Sequence, residues 1–131
     1  MEPLVYEEST ETPGIILDKE KGTFKMWGKS FPEEANKFYE PLLNWLDEYI
    51  QNPNKKTTFI FKMDYFNSAS STRILEMLYT LDKLYNSGHD VIIEWHYLEI
   101  DDDMLESGKE FSEMINTPVE LYPYQDDETN D

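Results

Sequence analysis

From Thr57 onward the apolar residues switch back and forth between a spacing of two and a spacing of three or four. Few folds other than strands joined by helices satisfy such a pattern. Phe59, Phe61, Met63 and Tyr65 fall on one side of an extended run, with Lys62 and Asp64 on the other. Ile74, Leu78, Leu81 and Tyr85 follow as a helical stripe, flanked by Leu75 and Leu84. Alternation returns over Asp90 to Leu98, where Val91, Ile93, Trp95 and Tyr97 oppose Glu94 and His96. A helix over about 103–115 then buries Met104, Leu105, Phe111 and Ile115, and Val119 to Tyr124 reads as a last strand that Pro118 can begin.

The first half supplies a hairpin and one more helix. Gly14 to Leu17 and Thr23 to Trp27 are short strand-like runs joined by a polar loop containing Gly22. Ser30 with Glu33 reads as a capping box, and Pro32 suits a first helical turn. The helix that follows has an apolar face of Ala35, Phe38, Tyr39, Leu42, Leu43, Leu46, Tyr49 and Ile50, interrupted by Pro41. The order β-β-α-β-α-β-α-β predicts an α/β domain. Its sheet is expected to be mixed and five-stranded, with three amphipathic helices mainly on one face and right-handed crossovers between the later, parallel strands. Residues 1–124 form this domain. The polar stretch Met1 to Glu11 is expected to be loose, and the acidic tail 125–131 disordered.

Composition narrows the function. The chain of 131 residues has no cysteine, which removes disulfides, thiolate metal sites and a cysteine nucleophile. Twenty-eight acidic residues against eleven basic ones give a net charge of −17, a field that repels nucleic acid and anionic lipid. That charge serves solubility, or it steers a basic partner. The N-terminus lacks the pattern of a secretory signal, and no run is long and apolar enough to span a bilayer. A cytoplasmic protein that binds neither nucleic acid nor membrane is expected.

No catalytic set emerges, and no cofactor is implied. G-x-S-x-G, G-x-x-x-x-G-K-[ST] and G-x-G-x-x-G are all absent. Asp101, Asp102, Asp103 and Glu106 could attract a hard cation, or simply begin a helix. Asp101, Asp102 and Asp103 with Glu94 and His96 make the alternative reading, a metal-dependent or acid–base enzyme. A second alternative is an acidic interaction protein that is never modified. The hydroxyl-rich corner at Asn67–Ser68–Ala69–Ser70–Ser71–Thr72 joins a strand to a helix N-terminus. Capping accounts for one or two of these residues. Four hydroxyls in five positions, followed by Arg73, also suit a phosphorylation switch, because a phosphate there adds about −1.5 to −2 charges.

Several segments, in order, resemble the SiaC family of bacterial regulatory phosphoproteins. Tyr65–Phe66–Asn67–Ser68–Ala69–Ser70 looks like the family's Y-[LF]-N-[ST]-x-S segment. Thr10–Glu11–Thr12–Pro13 and Gly28–Lys29–Ser30–Phe31–Pro32–Glu33 resemble its T-x-T-P and G-x-S-[YF]-P-E elements. Trp95–His96–Tyr97, Asp101–Asp102–Asp103–Met104 and Gly108–Lys109–Glu110–Phe111 resemble its W-x-Y, acidic and G-x-x-F elements. The resemblance implies a STAS-like fold, similar to anti-sigma-factor antagonists, and a signalling protein that is not an enzyme. It implies a serine/threonine protein kinase and a PP2C-type phosphatase acting on one hydroxyl. It also implies a downstream effector bound by the unmodified form, which in the best-known branch is a diguanylate cyclase. By position the modified hydroxyl is Ser68, with Ser70, Ser71 and Thr72 as alternatives and Tyr65, Asn67 and Arg73 around it. The expected docking face includes Trp27, Ser30, Phe31, Phe66 and Asn67.

Overall fold

A computed structural model describes residues 1–126, and the rest of the expected tail, 127–131, lies outside the described residues. The elements are β1 (Leu4–Tyr6), β2 (Gly14–Asp18), β3 (Thr23–Ser30), α1 (Ala35–Tyr49), β4 (Lys56–Phe66), α2 (Ser68–Asn86), β5 (Asp90–Leu98), α3 (Asp102–Glu113) and β6 (Val119–Tyr124). The sheet has six strands in the order β1-β2-β3-β4-β5-β6, so the five-stranded expectation is corrected by β1. This strand lies in a segment expected to be loose. It pairs antiparallel with β2 in the register Leu4↔Leu17 to Tyr6↔Ile15. Three residues are too few to display a period, but an existing edge supplies their hydrogen bonds, and Tyr6 packs on Phe38 at 5.7 Å.

β1, β2 and β3 are antiparallel, and β3 to β6 are parallel. Right-handed crossovers taken in one direction along a sheet keep their helices on a single face. The burial pattern agrees. Phe24 and Met26, Phe59 and Phe61, and Ile93 and Trp95 are buried on the helix side, while Lys25, Ile60 and Glu94 on the other side are not. The core between sheet and helices is rich in aromatic rings: Phe24 and Tyr49 lie 5.0 Å apart, and Trp45 stacks on Tyr49 at 5.5 Å.

One expected alternation fails at the end of β4. Gly28 pairs with Met63, but Lys29 pairs with Tyr65, so β4 carries an extra residue at Asp64. A bulge of this kind reverses the parity of whatever follows. Tyr65, expected on the core face with Met63, is therefore 50% exposed. Phe66 turns inward instead, onto Trp95 and Phe111.

Candidate functional site

The bulge delivers the chain to the hydroxyl corner, where α2 begins. Asn67 is the N-cap, and its side-chain oxygen accepts from the Ser70 N–H at 2.9 Å. The Asn67 N–H in turn donates to the Ser30 carbonyl at 3.0 Å, tying the start of α2 to the end of β3. Ser68 is the first helical residue. It is exposed, and its hydroxyl has no hydrogen-bond partner among the described residues. The other three hydroxyls are engaged or less accessible. Thr72 donates to the Ser68 carbonyl at 3.3 Å, Ser71 is half-buried, and Ser70 is fully buried.

Ser70 belongs to a buried chain of hydroxyls beneath the corner. Tyr39 donates to Ser30 at 2.6 Å, and Ser30 donates to Ser70 at 2.8 Å. Burial pushes the Tyr39 phenol above its ordinary value, against the pull of the two serines, so it stays a protonated donor. This arrangement overturns the capping box. Ser30 closes β3 and faces inward, α1 starts only at Ala35, and its N-cap Glu34 makes no side-chain cap hydrogen bond. Ser30 therefore adds no surface to the expected docking face and can act there only by holding Tyr39 and Ser70 in place.

Phe31 and Tyr65 do provide surface. They are 37% and 50% exposed and meet edge to face at 5.9 Å beside Asn67. Phe66 is half-buried. Trp27 lies flat over Gly14 on the open face of the sheet, and its indole N–H donates to Glu8 at 3.1 Å. Glu8 itself sits against Gly28, whose φ of 95° and lack of a Cβ both suit glycine. The Phe31 N–H donates to the Glu11 carbonyl at 2.8 Å, which brings the Thr10–Pro13 segment alongside. Three stretches separated in sequence thus converge on the C-terminal ends of β3 and β4. Arg73, expected to help hold a phosphate, pairs with Glu76 at 2.9 Å. Spacing could not reveal the Tyr39–Ser30–Ser70 chain, because its members lie on three elements.

The metal-dependent version of the enzymatic alternative finds no assembled site among the described residues. Among the described residues no group of three or more His, Asp or Glu side chains could hold a metal ion. Asp101 is spent as the N-cap of α3, accepting from the Met104 N–H at 3.0 Å. His96 pairs with Glu94 at 2.8 Å and stacks on Tyr122 on the open sheet face, apart from those aspartates. Among the described residues no helix is long and apolar enough to cross a membrane.

Comparison with known proteins shows the same fold elsewhere. The apo form of SiaC from Pseudomonas aeruginosa has the same fold, with a TM-score of 0.85 at 23% identity over 93% of this chain and 99% of that one. SiaC as crystallised with the diguanylate cyclase SiaD, which it activates, superposes with a TM-score of 0.87 at 22% identity over 92% and 99%. An uncharacterized protein of Pseudomonas aeruginosa (strain UCBPP-PA14) is 22% identical over 96% of this chain and its own full length. The family model described as SiaC family regulatory phosphoprotein matches residues 6–124, which is nearly the whole chain, and the chain therefore belongs to the SiaC family.

Proposed function

We propose that this chain is a phosphorylation-controlled switch in which Ser68 is the modified hydroxyl. Membership of a family of regulatory phosphoproteins makes it a regulator and not an enzyme. The observation that supports the choice of Ser68 is its setting. It alone among the four corner hydroxyls is both exposed and without a hydrogen-bond partner among the described residues, and it opens the first turn of a long helix. A kinase needs such an accessible acceptor, and a PP2C-type phosphatase needs the same access to reverse the step. The one-sided helix layer supports the STAS-like reading of the fold, and a cytoplasmic location suits a kinase–phosphatase pair.

The unmodified corner offers Phe31 and Tyr65 as adjacent aromatic anchors for a downstream effector. A diguanylate cyclase, the kind of protein that the Pseudomonas SiaC activates, is the effector we favour. A phosphoryl group on Ser68 gains the helix N-terminus but meets Glu33 and Glu34, which share a cleft with Ala69. It would also place about two negative charges beside the anchors. Ser68→Ala should keep the effector bound after incubation with the kinase and ATP. Ser68→Asp should weaken binding by about tenfold, equivalent to about 1.4 kcal/mol. Isothermal titration with the effector from the native host checks both, and equal affinity of the two variants sinks the reading.

A further inference from the structure

The face of the sheet away from the helices carries a cleft across the C-terminal ends of β3 to β6. The cleft holds about 530 Å³ and is floored by Trp27, Lys62, Leu98 and Tyr124. Past Leu98 it continues to Ile100, an apolar side chain left 85% exposed. Two of the protein's own ammonium groups lie over rings here. Lys62 Nζ is 4.5 Å from the centroid of Tyr124, and Lys25 Nζ is 5.4 Å from that of Trp27. Carboxylates surround them: Glu8, Asp64 and Asp126 along the cleft, and Asp101, Asp102 and Asp103 at its far end. Six acidic groups against two lysines repel an anion and favour a further cation, and aromatic faces already solvate cations in this place.

We propose that this cleft is a docking groove for a basic amphipathic helix of a partner protein. Its Lys or Arg side chains replace Lys25 and Lys62 over Trp27 and Tyr124, and its apolar residues cover Leu98 and Ile100. Crossing four adjacent strands spans three gaps, about 14 Å. About ten residues of helix match that length. A second copy of this chain would bring another −17 charges to a negative surface. A polyamine would supply charge but nothing to cover Ile100. The groove opens on the side of the sheet opposite α2 and shares Trp27 with the docking face expected beside Ser68, but its other lining residues lie outside that face.

The test uses the full chain, labelled with ¹⁵N, and a synthetic helix of roughly fourteen residues with arginines along one side and leucines along the other. Titration is done at about 0.15 M salt, where the screening length is ~8 Å and diffuse attraction is damped. Amide shifts should cluster at Trp27, Lys62, Leu98, Ile100 and Tyr124. Ile100→Ser should weaken binding about fivefold through lost apolar burial. Lys62→Gln should tighten it, by freeing the Tyr124 ring, more than Lys56→Gln does at the other end of β4. Shifts spread equally over the exposed Glu40, Asp47 and Glu48 of α1, indifference to both Ile100→Ser and Lys62→Gln, or displacement by spermine whether or not Ile100 is present would each overturn the proposal.

Discussion

Gly108 shows how a single hydrogen atom in place of a side chain fixes the position of a helix. The Trp95 indole is buried, and its N–H donates to the Met104 carbonyl of α3 at 2.9 Å. A Cβ on Gly108 would stand 2.5 Å from Trp95 Cδ1 and 2.7 Å from its Nε1. The ring cannot retreat, since Phe111 and Phe66 pack on it at 5.5 Å and 6.2 Å. Gly108→Ala would gain about 1 kcal/mol of helix propensity. Overlap with a fixed ring costs about 1–3 kcal/mol, and we expect the overlap to win. Urea unfolding should show a lower midpoint, and an unchanged or higher one would mean that α3 shifts freely. Trp95, Met104, Gly108 and Phe111 were legible in the sequence as spaced matches to a family. Their shared role in seating α3 was not, because spacing says nothing about which backbone atom an indole touches. Ser30 was misread for a related reason: a serine three residues before a glutamate looks the same whether its hydroxyl caps a helix or bonds to Tyr39 and Ser70.

At the level of elements, one carboxylate joins the end of α2 to the start of β6. Asp82 accepts from the N–H groups of Asn116 and Thr117 at 2.9 Å each, from the Thr117 hydroxyl at 2.7 Å, and from the Asn86 amide at 3.2 Å. Desolvation raises its pKa, but these hydrogen bonds outweigh it and hold the carboxyl below its usual value of 3.8. Hydrogen bonds to a charged acceptor reach about 1.5–3 kcal/mol, and partial exposure reduces that. Asp82→Ala should therefore cost about 1–2 kcal/mol at neutral pH. A depressed folded pKa stabilises above the unfolded value and is lost as the pH falls through the folded one, so the gap between wild type and variant should close well below pH 4. Chemical denaturation at a series of pH values measures that gap, and a constant gap would assign the effect to packing. The faces of the three helices and the alternation of β5 were legible because many buried residues repeat one period. The Asp64 bulge was hidden, since Met63 and Tyr65 keep the same spacing whether or not a residue is extra. β1 was hidden by its length, as three residues gain a register only from β2.

The whole molecule carries a net charge of −17 on 131 residues. Among the described residues Lys37–Glu34 and Arg73–Glu76 are ion pairs that offset part of it. Self-repulsion should dominate the electrostatics of the folded state. Raising sodium chloride from about 0.02 M to about 0.3 M shortens the screening length severalfold. The melting temperature should rise by about 3–5 °C, the equivalent of about 1 kcal/mol in a chain of this size. Thermal melts followed by circular dichroism test this, and a falling Tm would mean that attractive pairs outweigh the repulsion. The sheet order repeats the chain order from β1 to β6. Each strand after β1 has a sheet neighbour that precedes it in the chain, so a new strand can add to the open margin of what came before as the polypeptide leaves the ribosome. No strand has to be threaded between two that are already joined, so assembly can keep pace with synthesis and leaves a single growing edge to protect.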